Sequence, residues 1–126
     1  MHEFYEIFES VLQQSGMHVV IPELHHHINS KRRPLKELTK IISDHDFKVI
    51  SVVHDSFRYR FPDGTAMLKY PFIRYAFMDE WLKLLPENRV DEIFTQIEDR
   101  MNEIARIKGE WVLTVPFVVI DSRLEK

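Results

Sequence analysis

Two long extended stretches in an otherwise helical chain limit the fold more than any other feature. Residues 47–61 read FKVISVVHDSFRYRF, and residues 111–121 read WVLTVPFVVID. Both are rich in β-branched and aromatic residues, which favour a pleated, packed surface. Two strands alone leave edges that something must pair or cover. The expected fold is therefore α+β, with about five helices packed on a small sheet of two long strands. At 126 residues the chain reads as a single domain, 1–126.

The helices follow from apolar spacing. Phe4, Ile7, Phe8, Val11 and Leu12 keep the i, i+3, i+4, i+7 rhythm of one helix face. Pro22 opens a second helix with Leu24 and Ile28 inward, and Pro34 a third with Leu35, Leu38, Ile41 and Ile42 as its stripe. Residues 67–85 read as a helix entered around Pro71. Residues 88–108 carry Val90, Ile93, Phe94, Ile97, Met101, Ile104 and Ala105 at helical spacing, and Gly109 stops them. In the first strand Val49, Val53, Phe57, Tyr59 and Phe61 are expected on one face, with Ile50, Val52, His54, Arg58 and Arg60 on the other. The His54-Asp55-Ser56 interruption predicts a bulge or bend midway. Pro62-Asp63-Gly64 predicts a turn in which glycine accepts positive φ. The near-continuous apolar run of the second strand predicts burial on both faces, with Pro116 marking a bulge or an edge.

Composition excludes several functions. The net charge of -3 argues against a general nucleic-acid binder. With no cysteine there is no disulfide, thiol nucleophile or Cys-ligated zinc. The first residues lack a basic start and a continuous apolar run, so no signal peptide is read there. No stretch approaches the roughly 20 apolar residues of a membrane span. The expected location is the cytoplasm.

Few residues offer chemistry. His25, His26 and His27 are consecutive, so a helix points them about 100° apart and they cannot share one metal. They read as a solvated run, as does Lys31-Arg32-Arg33. His54 and Asp55 alternate across a strand and make a poor acid–base pair. Arg58 and Arg60 share a strand face, and Arg74 lies beyond the turn. Three guanidiniums can hold a carboxylate or phosphate, against the simpler reading of surface arginines paired with acids. Tyr70, Phe72, Tyr75, Phe77 and Trp81 are either an apolar ligand wall or core. The candidate substrate-binding set is Arg58, Arg60, Tyr70, Phe72, Arg74 and Phe77, with no metal ligands. The glycines, at 16, 64 and 109, are too far apart for a phosphate loop.

One resemblance adds to this. LTKIISDHDF, then FKVISVVHDSFRYRF, the Asp63-Gly64-Thr65 turn, YPFIRYAFMDEW, a charged helix and GEWVLTVPFVVIDSR follow one another. From about Met1 to Arg123 the chain resembles the C-terminal half of class I S-adenosylmethionine-dependent methyltransferases, above all the small bacterial and archaeal type. The resemblance makes the two strands the sixth and seventh of that fold, the seventh antiparallel between the fifth and sixth. The family's Gly-rich loop and the acidic residue ending its second strand have no counterpart here. The implied function is the substrate-side portion of a methyltransferase, inactive alone and binding no cofactor unless a cofactor-binding half is supplied. The alternative is a non-catalytic homodimeric module that binds a small apolar or anionic ligand or a protein. The seventh strand would lack its fifth-strand neighbour. The expected partners are therefore a second copy, through the open strand edge or a segment swap, or a separate cofactor-binding chain.

Overall fold

The computed structural model describes residues 1–31 and 34–125, so Arg32 and Arg33 of the basic run lie outside the described residues. The fold is α+β: five principal helical segments and a two-stranded antiparallel sheet. Helix α1 (His2–Gln14) buries Phe4, Tyr5, Ile7, Phe8, Val11 and Leu12. After a 3-10 turn at His18–Val20, α2 (Ile21–Lys31) buries Leu24 and His27. Helix α3 (Leu35–Asp44) leads into strand β1 (Phe47–Phe61). Short α4 (Gly64–Lys69) and α5 (Pro71–Ile73) follow, then a π turn (Arg74–Met78) and α6 (Asp79–Lys83). Helix α7 (Val90–Lys108) buries Ile93, Ile97, Met101 and Ala105 in i, i+4 steps. Gly109, at φ 87°, ends it by donating its N–H to the Ala105 carbonyl at 2.7 Å. Strand β2 (Trp111–Leu124) completes the chain, three residues longer than expected.

The helix expected around Pro71 starts earlier, at Gly64, and is interrupted at Tyr70 (ψ 128°). A proline drives the preceding residue out of the helical region, so Tyr70 is extended and the helix restarts behind it.

Helix α1 packs on α7, and both meet the start of β2. The centre of the core is Trp81. It stacks on Phe4 at 4.2 Å and on Phe77 at 5.5 Å, and its Nε1–H donates to the Tyr5 hydroxyl at 3.2 Å. From the sheet, Phe61, Trp111 and Leu113 enter this core. The Trp111 Nε1–H points at Met67 Sδ, 3.1 Å away.

Strands β1 and β2 pair from Phe61↔Trp111 to Phe47↔Leu124. The register slips between Val49 and Ser51, whereas His54, Asp55 and Ser56 pair regularly with Val118, Phe117 and Pro116. Of the bulge or bend expected at 54–56, no bulge forms there; Ile50 is the extra residue. As a result Val49 (opposite Ser122) and Val53 (opposite Val119) lie on opposite faces, not on one. Pro116 causes no slip; it sits on an outer edge, where its missing N–H costs no ladder bond.

Burial of β2 on both faces is also overturned. The core side of the ribbon is buried at Leu113, but Val53 and Val119 on that same side are 54% and 52% exposed. Length explains this. Fifteen extended residues span about 50 Å, while the 19 residues of α7 span about 28 Å. The ribbon outruns the helices that cover it. Helix α3 packs against β1 yet buries none of its own residues. The half-buried positions of the far ribbon, Val49, Val52, Ile120 and Ser122, all lie on the face away from the core. No described helix is long and apolar enough to cross a membrane.

Candidate functional site

The Asp63-Gly64-Thr65 turn fixes where the aromatic segment goes. The Asp63 carboxylate caps α4 by accepting from the Ala66 N–H at 2.8 Å. The Asn102 side-chain oxygen accepts from the Gly64 and Thr65 N–H groups at 2.8 and 3.2 Å, and its amide donates to the Thr65 hydroxyl at 3.0 Å. That hydroxyl donates on to Glu98 at 3.1 Å. Gly64 is not in the left-handed region, which corrects the expected reason for it. A Cβ there would lie 2.4 Å from the Met101 Cβ, so glycine is required by the close approach of α4 to α7. The turn's polar groups are thus occupied by structure.

The turn sends Tyr70 back onto the sheet. Its ring lies 5.5 Å from Phe61 and 5.9 Å from Tyr59; Tyr59 continues to Phe57 at 5.2 Å, and Phe57 to Phe117 at 6.0 Å. These rings make one aromatic strip running from the core out along the ribbon. Phe72 meets Phe77 at 5.8 Å. Phe72 and Tyr75 are exposed, Phe77 is half-buried and Trp81 is core. The sequence thus pooled residues with three different fates. The π turn at Arg74–Met78 is the local irregularity that separates them.

The arginines divide. Arg58 and Arg60 lie on the ribbon face away from the core, two residues apart. Arg60 pairs with Glu110 at 3.8 Å. Arg58 lines a cleft of about 510 Å³ with Glu3, Glu6, Lys108 and Glu110. Arg74 is exposed on the helical side and lines none of the principal clefts with either of them.

A cluster that sequence reasoning missed centres on His27. The expected solvated run holds for His25, which meets Glu9 at 3.0 Å, but not for His27, which is buried. Its Nδ1 lies 3.5 Å from the Glu80 carboxylate, which also pairs with Lys31 at 2.9 Å. Burial pushes the imidazole below its ordinary pKa; Glu80 opposes this and Lys31 reinforces it. Its Nε2 is buried and has no hydrogen-bond partner among the described residues. The i, i+3 spacing of Leu24 and His27 on one helix face was the available signal. His27, His26, Glu23, Lys31 and Glu80 border a cleft of about 540 Å³. The described residues include no group of three or more metal-ligating side chains.

The outer edge of β2 is closed at one place. The Thr114 N–H and hydroxyl donate to the Glu3 carboxylate at 2.9–3.0 and 2.5 Å, and the N-terminal amino group donates to the Thr114 carbonyl. Burial pushes the Glu3 carboxyl upward, and the Thr114 donors, the Glu3 backbone N–H and nearby His2 together more than offset it, leaving the pKa below the usual carboxylate value.

No protein-family model, curated protein or solved structure matches this chain. Gly16 and Gly109 follow helix ends at positive φ, and Gly64 abuts Met101.

Proposed function

We propose that this chain is the substrate-side portion of an S-adenosylmethionine-dependent methyltransferase, acting with a cofactor-binding half supplied by other residues. The observation that carries the reading is the aromatic strip Tyr70–Tyr59–Phe57–Phe117, which leaves the core and stays open on the ribbon. Support for the chemistry comes from the resemblance across FKVISVVHDSFRYRF, YPFIRYAFMDEW and WVLTVPFVVID. Methyl transfer is an in-line displacement governed largely by proximity and orientation. This portion would supply an apolar wall for the methyl acceptor and keep water from it, with Tyr70, Tyr59, Phe57 and Phe117 as the wall. Arg74, on the helical side, would meet an acidic acceptor; Arg58 and Arg60 lie on the ribbon face opposite the strip. A non-catalytic module that takes an apolar ligand on the same strip is the second reading.

Calorimetric titration separates the two. S-adenosylmethionine is added to the chain alone and to the chain mixed with the product of the adjoining reading frame. Binding only in the mixture, beyond what that product shows by itself, supports the methyltransferase reading. Binding to the chain alone, or to neither sample, overturns it. Substituting Phe57 or Tyr59, which lie within the strip, then tests the second reading through affinity for an apolar ligand.

A further inference from the structure

The outer edge of β2 has a closed half and an open half. Thr114 is clasped by Glu3 and the N-terminal amino group, and Pro116 has no N–H to offer. Thr114 fixes the phase: its N–H and carbonyl point away from β1. In an antiparallel pair such residues alternate, so Val118, Ile120, Ser122 and Leu124 also present their backbone outward. Among the described residues nothing bonds to those groups of Val118, Ile120 and Ser122.

The open half is complementary to itself. About a two-fold axis through Ser122, each residue meets the one equally far on the other side in a second copy. Asp121 then faces Arg123, and Ile120 faces Leu124. Within one chain these charges are not compensated. Asp121 has Ser51 across the ladder, and Arg123 has Lys48, a like charge in the opposing position. Neither forms an ion pair among the described residues. Leu124 is 50% exposed. An axis through Ile120 serves less well: it sets Asp121 against Val119 and Leu124 against Pro116, which cannot donate.

We propose that two copies of this chain pair antiparallel through residues 120–124, with Ser122 on the two-fold axis, giving a four-stranded sheet ordered β1-β2-β2-β1. This pairing stands whether or not the chain takes part in methyl transfer. A short edge lies at the small end of specific interfaces, so monomer and dimer exchange with concentration.

The test is sedimentation equilibrium on the full chain across about two decades of concentration. The wild type is expected to move toward twice the monomer mass. Arg123→Asp and Asp121→Arg each set like charges opposite one another, and each should weaken association by about tenfold or more. The double reversal, D121R with R123D, should restore it. A wild type that stays monomeric, as expected if a different chain covers this edge, overturns the proposal. Single reversals without effect, or a double reversal that does not recover, also overturn it. The register is read separately by cross-linking, since the native chain has no cysteine. Ser122→Cys should form a disulfide-linked dimer on mild oxidation, because paired strand positions fall within disulfide reach. Ser56→Cys, on the inner strand, should not. The reverse pattern rules out this axis.

Discussion

Gly64 and His27 show how far single residues can be read without their neighbours. Glycine after Pro62-Asp63 suggests a turn with positive φ, and the turn is there, but the reason for glycine is Met101, 37 residues on. Gly64→Ala is expected to destabilise the fold by about 1–3 kcal/mol, the usual cost of overpacking. Denaturant unfolding checks it; an unchanged midpoint would mean that α4 and α7 separate at little cost. His27 lies in a histidine run that looks solvated, and its burial comes from the packing of α2 beside Tyr5 and α6. Its surroundings are the Glu80 carboxylate, the Lys31 ammonium, the Tyr5 ring and the Trp81 N–H already given to the Tyr5 hydroxyl. Because its pKa is depressed on folding, stability is full above the ordinary histidine value near 6.5 and falls as pH drops through the folded-state pKa. His27→Phe should flatten that acid limb, and Glu80→Gln should deepen it, since Glu80 is the group that favours the imidazolium. Melting temperatures between pH 7.5 and 5 decide the matter; parallel curves for all three proteins would remove His27 from the account.

At the scale of the element, periodicity gave the helices almost as they stand, because each apolar stripe is decided by neighbours three and four residues away. The strands were legible as strands and illegible as surfaces. An apolar run states that a strand wants cover and says nothing about how far the cover reaches. The ribbon divides accordingly. Leu113→Ala, in the core, is expected to cost about 2–5 kcal/mol. Val119→Ala, on the same face but beyond the helices, should cost less than about 0.5 kcal/mol in the monomer. Urea titration of both variants at low protein concentration measures the difference. Equal losses would mean that the far ribbon is packed in solution. Helix α3 poses the same question, with a clean apolar stripe in Leu35, Leu38, Ile41 and Ile42 and no residue of its own buried.

For the whole molecule, the α+β class and the pairing of two distant strands could be read from the sequence, because only two segments have strand character. The candidate site was readable only as a list of residues. The aromatic strip joins rings from 57 to 117 that no local pattern links. The arginines share a face only where strand alternation places them together. Which part of an edge is open was beyond reach, since the clasp on it comes from a glutamate 111 positions earlier.

That clasp also bears on the order in which the protein can be made. Helices α1 and α7 both lean on the start of β2, and β2 leaves the ribosome after either of them. Until Trp111 and Leu113 emerge, their places in the core are empty, and β1, made earlier, waits without the strand it pairs with. Contacts this distant in sequence form slowly, and apolar surface left open meanwhile invites association with other chains. The core closes only once β2 has followed the helices out, and holding β1 and the helices apart from other chains until then becomes a requirement of its synthesis.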